Sequence, residues 1–312
     1  MKFSFYLVIF LLIIFSCQKE IKFDIQYPES KPTVNCIVNP DSIIKLYLSE
    51  SLTPVDIINF NSIEDAYPEV YKYGNFLGLL NMYVKPTTNP GLAYYTSSNI
   101  SFNSDDSLEI IILHEDFNTI TAKTSIPKKP VADIEIISYS FKKILNSISN
   151  GYSIDAVIKI SISDNKLKKK NYYSVKMYYD ANDLPYPNNT DTLYKDIIHY
   201  TQNRGNMIKT YKFNEGFIFS NDIFENDTLT FYMYAEDQMY IKTPDLFKLY
   251  VEVKSISEDF YRYQKSLKEY YQALGNPFSE PAKVYGNINN GYGIFAGYNS
   301  IIDTVFLQLN QK

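Results

Sequence analysis

The side chains able to do chemistry are few. The chain of 312 residues holds two cysteines, Cys17 and Cys36, and two histidines, His114 and His199, which lie more than eighty residues apart. Neither histidine has a second His or a Cys nearby in sequence, so a zinc site of ordinary ligand spacing is excluded by count. A G-x-S-x-G elbow, a phosphate-cradling Walker loop and a dinucleotide fingerprint are all absent from the sequence. The acidic pairs Asp105-Asp106 and Glu236-Asp237 have the residue types a carboxylate-dependent hydrolase needs, but only a fold can place two carboxyl groups across a cleft. Asn221-Asp222 and Asn226-Asp227 lack calcium-loop spacing and read as turns. His114 follows an apolar run and reads as a rim residue. No metal or cofactor is implied.

Cys17 has the most specific setting. Lys2 gives a short positive start, and Phe3 to Phe15 form an apolar run of 13 residues. That is the length of a signal h-region, and it falls short of the roughly 20 residues a bilayer-spanning helix needs. The run ends in Ile14-Phe15-Ser16-Cys17, which resembles a bacterial lipobox: Ser16 is small enough to admit the peptidase, and the Cys17 thiol takes the diacylglycerol. Residues 1–16 are therefore expected to be a lipoprotein signal peptide, with Cys17 as the lipidated first residue of the mature chain. Residues 17–31 are polar, contain Pro28, and read as a tether between lipid and fold. Gln18, Lys19 and Glu20 resemble the export signal that sends Bacteroidetes lipoproteins to the outer face of the outer membrane; an ordinary polar tether is the other reading. Once Cys17 carries lipid, Cys36 has no intramolecular partner. It alternates with Val34 and Val38 and reads as a small core hydrophobe.

Loss of residues 1–16, whose single charge is Lys2, takes the formal charge from −5 to −6. Nucleic-acid binding would call for a basic patch, so this balance argues against it. Thirty Tyr and twenty Phe without a Trp suit pleated, half-buried sheet surfaces. Tyrosine-rich faces also bind sugars and proteins, but Tyr, Ile, Asn and Lys are enriched together, as in an AT-rich genome, and that compositional reading is the stronger one.

From Thr33 onward the apolar pattern has period two. Val34, Cys36 and Val38, a turn at Asn39-Pro40-Asp41-Ser42, and Ile44, Leu46 and Leu48 predict a hairpin with one buried face. Pro54 and Pro68 are expected to break regular structure over 50–76. Further strands are predicted at Phe76–Val84, Ala93–Thr96 and Leu108–His114, the last pairing with Thr119–Ile126. Pro127 and Pro130 mark a boundary. Beyond it, Ile154 to Ile162 alternate, Asp164-Asn165 turn, and Tyr172–Tyr179 return as the second strand of a hairpin. Lys166, Lys168, Lys169 and Lys170 in that turn read as a solvated tip, with an anion site as the rival. Residues 181–206 read as a polar loop, and Thr228–Tyr234 as a strand. A helix is predicted over 257–274: Ser255 and Glu258 have capping-box spacing, Phe260, Leu267, Tyr271 and Leu274 give an apolar stripe, and Gly275 stops it. The expected fold is mainly β. An N-terminal immunoglobulin-like β-sandwich spans 32–127, and a second β-sandwich domain carrying the helix spans 128–312.

The tail is the most distinctive passage. Asn276, Pro277, Phe278, Glu280 and Pro281 precede Gly286, Asn287, Asn290, Gly291 and Gly293, and four of the eleven glycines fall within twelve residues, which implies tight turns or close backbone approach. A helix followed by NPF-x-EP, GNI-x-NG and G-x-F-x-G resembles the closing motif of the DUF4249 family of Bacteroidetes lipoproteins. Lys31-Pro32-Thr33-Val34, Ser125-Ile126-Pro127, and Asp164 with Asn171-Tyr172-Tyr173 resemble its other landmarks. The resemblance implies a lipid-anchored outer-membrane protein, often encoded beside TonB-dependent transporters, and no catalytic residue. The Gly and Asn residues of the motif read as turn formers, with an interface as the alternative. The expected role is that of a binding or accessory subunit of such a transporter, its ligand unknown. The rivals are a polysaccharide or peptide hydrolase and an adhesion or envelope lipoprotein.

Overall fold

The computed structural model describes residues 29–52, 62–84, 93–145, 150–164, 169–180, 194–196, 198–201, 208–209, 216–239, 247–274, 278–280 and 282–308. The expected signal peptide, Cys17 and most of the tether lie outside them, as do Gly275, Asn276, Pro277 and Pro281. The protein is mainly β, with several sheets and one helix near the C-terminus. No helix of the described residues is long and apolar enough to cross a membrane.

The first hairpin forms as predicted, from β1 (Pro32–Val38) and β2 (Ile44–Glu50). Asn39 closes it by accepting from Asp41 N on Oδ1 and from Ser42 N on its carbonyl. Its inward side chains Val34, Cys36, Val38, Ile44, Leu46 and Leu48 are all buried. They meet a four-stranded sheet of order β4-β3-β7-β8, made of β3 (Tyr67–Lys72), β4 (Asn75–Leu79), β7 (Ser107–Leu113) and β8 (Ile120–Ser125). Val70, Leu108, Ile110, Ile112, Ile120 and Ala122 come from that side of the shared core.

Two expectations for this region need correction. Pro68 does not break the chain. It is the second residue of β3, where no ladder N–H is required of it and its carbonyl accepts from Leu80 N. The run Phe76–Val84 is not one strand. It breaks at buried Leu80 into β4 and β5 (Asn81–Val84), which belong to different sheets.

Pro127 and Pro130 lie in the passage from β8 to β9 (Val131–Leu145), where the expected division between 32–127 and 128–312 falls. β9 joins β10 (Asn150–Ser163), β16 (Thr228–Met239) and β13 (Ile198–Thr201) in a sheet of order β13-β16-β10-β9. β11 (Tyr172–Asp180) is not the hairpin partner of β10. It crosses to the opposite layer and pairs with β15 (Phe217–Ser220) and β17 (Phe247–Ile256). Strands β10, β11, β16 and β17 are apolar on alternate positions, and Ile158, Ile160, Val175, Met177, Leu229, Met233, Leu249 and Val251 fill a second core between the layers. The stretch read as a loop over 181–206 contains β12 (Tyr194–Asp196) and β13. Two-residue β14 (Ile208–Lys209) lies beyond it.

The last strand, β18 (Tyr292–Leu307), joins the two halves. Thr33 to Val38 of β1 pair in parallel with Tyr292 to Gly297, and Ile256 to Phe247 of β17 pair antiparallel with Tyr298 to Leu307. Sixteen residues at about 3.3 Å each reach roughly 50 Å. One strand thus serves both cores and completes a ten-stranded sheet of order β14-β15-β11-β17-β18-β1-β2-β6-β5, where β6 is Ala93–Ser97 and β12 pairs β11 off this path.

The helix α1 (Glu258–Leu274) forms where predicted, but its cap is Ser257, whose Oγ accepts from Phe260 N at 3.3 Å. Ser255 is instead a strand residue of β17. Phe260, Gln264 and Leu267 are buried, whereas Leu274 is exposed, so only the first turns pack. They cover Ile294 and Ala296 of β18 and Ile218 of β15.

Tyr95 of β6 points inward, and its hydroxyl accepts from Ala66 N at 3.0 Å and donates to Ile63 O at 2.9 Å. A Tyr95→Phe change leaves two buried backbone groups unpaired. The expected cost is about 1–3 kcal/mol in urea unfolding at neutral pH.

Candidate functional site

The tail motif resolves into a clasp. Leaving α1, residues 282–288 run back along the helix: Tyr285 N donates to Ser266 Oγ at 2.8 Å, and the Tyr285 hydroxyl donates to Asp259 Oδ1 at 2.6 Å. The Arg262 guanidinium sits 4.2 Å from the Tyr285 ring centroid. The chain then meets β8, where Asn289 bridges Thr121 through both backbone groups. Asn289 Nδ2 donates to Thr121 Oγ1 at 3.0 Å, and Asn290 Nδ2 donates to Thr119 O at 2.9 Å. Asn287 ties the two sheets together: its Nδ2 donates to Lys123 O and to Phe295 O, and its Oδ1 accepts from Phe295 N.

The glycines are there because backbone passes against backbone. A Cβ on Gly293, which has φ +101°, would stand 1.9 Å from Val34 O. On Gly286 it would meet Gly293 O at 2.5 Å, and on Gly291 it would meet Pro32 O at 2.6 Å. Gly286, Asn287, Asn290, Gly291 and Gly293 therefore close the first core. Of the remaining motif residues, Phe278 is 94% exposed beyond the helix, and Glu280 is also exposed.

A cleft of about 420 Å³ opens where the β8–β9 passage, the crossing from β10 to β11 and the start of α1 meet. The landmark residues Ser125-Ile126-Pro127, Asp164 and Asn171-Tyr172-Tyr173 all line it. Asp164 is buried and accepts from Asn171 Nδ2 at 3.0 and 3.1 Å and from Asn221 Nδ2 at 2.9 Å. Burial, and then the Asp164 charge, push the Tyr173 phenol up. Lysines rim the cleft, but Lys128 pairs with Asp105 at 3.1 Å and Lys170 with Asp222 at 2.9 Å. The bond from Lys170, and then that from Ser220, hold the Asp222 carboxyl below the usual range. Ser257 Oγ accepts from Phe260 N and Gly297 N, and no histidine lines the cleft, so the described residues set no nucleophile beside a base there.

Several of the remaining candidates are also spent on structure. Asp105, at φ +69°, and Asp106, paired with Lys72 at 3.5 Å, stabilise a turn. Asn226 and Asp227 are both left-handed, as turn formers are. Asn221 opens a short 3-10 turn over Asn221–Ile223. His114 follows β7, accepts from Asp116 N on Nδ1, and so carries its proton on Nε2, 2.9 Å from Asp65 Oδ1. His199 and Glu236-Asp237 lie on β13 and β16, with Ile198 opposite Glu236. Cys36 is wholly buried, and burial pushes its thiol up, which suits an inert core residue. Among the described residues no group of three His, Cys, Asp or Glu could hold a metal ion.

What stays open is a tyrosine face that sequence reasoning did not single out. The ten-stranded sheet is covered by α1 over β18 and β1, but beyond β2 its outer face reaches solvent. There Tyr47, Tyr94 and Tyr83 stand in a cross-strand row, with ring centroids 5.6 and 5.0 Å apart. Lys45 Nζ is 5.4 Å from the Tyr94 centroid. Tyr47 and Tyr83 are 39% and 43% exposed. Burial, and then Tyr94, push the Tyr47 phenol up. The only signal in the sequence was the Tyr94-Tyr95 pair, since adjacent strand residues point to opposite faces.

The family described as Domain of unknown function (DUF4249) matches residues 18–301. The chain belongs to DUF4249. No curated protein matches it. Among solved structures, this DUF4249 chain is similar to the collagen binding domain of Erysipelothrix rhusiopathiae surface protein RspB, at 10% identity over 91% of this chain and 97% of that one. The TM-score of 0.15 is too low for that likeness to carry an argument.

Two outcomes check the clasp. Gly293→Ala should cost far more stability than Gly74→Ala, whose Cβ would meet nothing within 4 Å and which loses only the roughly 1–2 kcal/mol of a left-handed residue; thermal melts compare them. The Tyr285 phenol is pushed up to about 12, by burial first and then by its bond to Asp259. An unfolded tyrosine titrates near 10, so the contribution is complete below about pH 10 and is lost as pH rises towards about 12. Urea unfolding across that window should show a shallower decline for Tyr285→Phe than for the parent.

Proposed function

We propose that this DUF4249 protein is a surface-anchored binding subunit, held to the outer membrane by lipid on Cys17, that serves a TonB-dependent transporter by capturing and presenting its ligand. The observation that carries the reading is the solvent-facing tyrosine row. Asp105, Asp106, Asp164, Asp222 and the tail asparagines are committed to turns, ion pairs, amide bonds and the clasp, while three aromatic rings stand on the outer face. Two sheets packed across each core support reading the units as β-sandwiches, the first of immunoglobulin-like type, and such modules commonly present binding faces. The apolar run ending at Ser16-Cys17 and the polar tether after it support the anchor.

The mechanism is one of effective concentration. Anchoring confines the search for transporter and ligand to a surface, so a weak contact gains occupancy without new bonds. The mixed charge of the chain and its lack of a metal-ligand motif fit this role better than electrostatic capture.

The anchor is tested by growth with labelled palmitate. The parent chain should take up label and sediment with outer membranes, and Cys17→Ser should do neither. Gentle detergent extraction and affinity purification of the parent should recover a TonB-dependent receptor. An unlabelled parent, or a parent recovered alone, overturns the proposal.

A further inference from the structure

We infer that the row Tyr47–Tyr94–Tyr83 is a binding platform for a neutral, extended polysaccharide, with one sugar residue over each ring; this rests on the binding role above and names its ligand class. The row is built by register. Tyr83 opposes Tyr94 across β5 and β6, and Leu46 opposes Tyr95, which brings Tyr47 beside Tyr94 on the outer face. Centroid separations of 5.6 and 5.0 Å follow the spacing of strands in a sheet. That repeat is close to the advance per residue of an extended β-linked glycan, so consecutive sugars fall on consecutive rings.

Chemistry selects the occupant. A pyranose has an apolar C–H face and a hydroxyl rim, and a phenol offers the matching pair, an apolar ring with a polar edge. The row's neighbours supply further hydrogen-bonding groups: Asn35 opposes Tyr47, and both Asn35 and Lys45 are exposed. The rings are tilted to one another, by 52° and 42°. Among the described residues Lys45 is the one cation placed over the row, which is too little for a nucleic-acid backbone or an anionic lipid surface. Among the described residues the platform has a closed end and an open end. Asn35 leads to Ile294, which lies under α1, whereas β5 is the last strand in the order of its sheet. A long chain can therefore enter over β5 and run across the rings towards the helix.

The test is affinity electrophoresis of the full-length protein in detergent, through gels containing hydroxyethyl cellulose or neutral arabinoxylan, both extended β-1,4-linked chains. Retardation by at least one is expected. Tyr94→Ala and Tyr83→Ala should each weaken it about tenfold, the scale of one aromatic contact, and Tyr94→Phe should retain most of it. Tyr73→Ala, at a residue that is 63% exposed in the turn between β3 and β4 of the other sheet of that core, should leave it unchanged. Circular dichroism melts identify any variant that has simply unfolded, and Tyr94→Phe then carries the comparison. Absence of retardation in both gels, or retardation that survives the Tyr83→Ala/Tyr94→Ala double change, overturns the inference. So does a double variant that loses a co-purifying receptor while its glycan retardation is intact, since the row would then be a protein interface. Glycan retardation without receptor recovery overturns the transporter role but supports the platform.

Discussion

A single strand has to satisfy two cores at once. β18 pairs in parallel with β1 over Tyr292 to Gly297 and antiparallel with β17 over Tyr298 to Leu307, so neither half of the chain completes its sheet alone. The requirement fixes chemistry along the whole tail. Where β18 enters, backbone must pass within van der Waals reach of Val34 O, Pro32 O and Ser125 O, and Gly293, Gly291 and Gly297 are the residues that allow it. Where it is held, Asn287 supplies side-chain bonds to both sheets of the first core. Parallel pairing between the first and last strands also means that the first core cannot close until nearly the whole chain is present, a topology dominated by non-local contacts.

That constraint accounts for how polar residues are distributed. Asp164, Asn171 and Asn221 secure the crossing of β10 to β11 between layers, and Asn39 closes the first hairpin. Lysines near the cleft are matched by Asp105, Asp41 and Asp222. A buried carboxylate is tolerable only when its lone pairs are filled, and the amides of Asn171 and Asn221 donate to those of Asp164. Tyrosines are divided in the same way. Tyr95 turns inward to satisfy two backbone groups, Tyr285 locks the strap to α1, and Tyr94 turns outward beside Tyr47 and Tyr83.

Local signals in the chain were accurate where neighbours in sequence are neighbours in space. The β1–β2 hairpin, the β7–β8 pair and the body of α1 all follow from period and turn residues within short windows. The helix cap missed by two positions, because Ser255 and Ser257 both precede Glu258 and only the end of β17 decides which is free to turn. The break at Leu80, the inclusion of Pro68 in β3 and the separation of β10 from β11 were illegible for a related reason. Each depends on which sheet a strand joins, and period two is the same in either.

The sequence by itself determined that the chain is β-rich, that its tail must make tight turns or close backbone approaches, that it belongs with DUF4249, and that no zinc site of ordinary spacing could exist. Composition, glycine placement and residue counts are properties of the chain alone, and no packing can change them. Only the tertiary structure decided that the glycine motif closes the first core, that the landmark residues converge on one cleft, and that Tyr47, Tyr94 and Tyr83 align. Those facts depend on register between strands distant in the chain, and register is set by which faces are buried together.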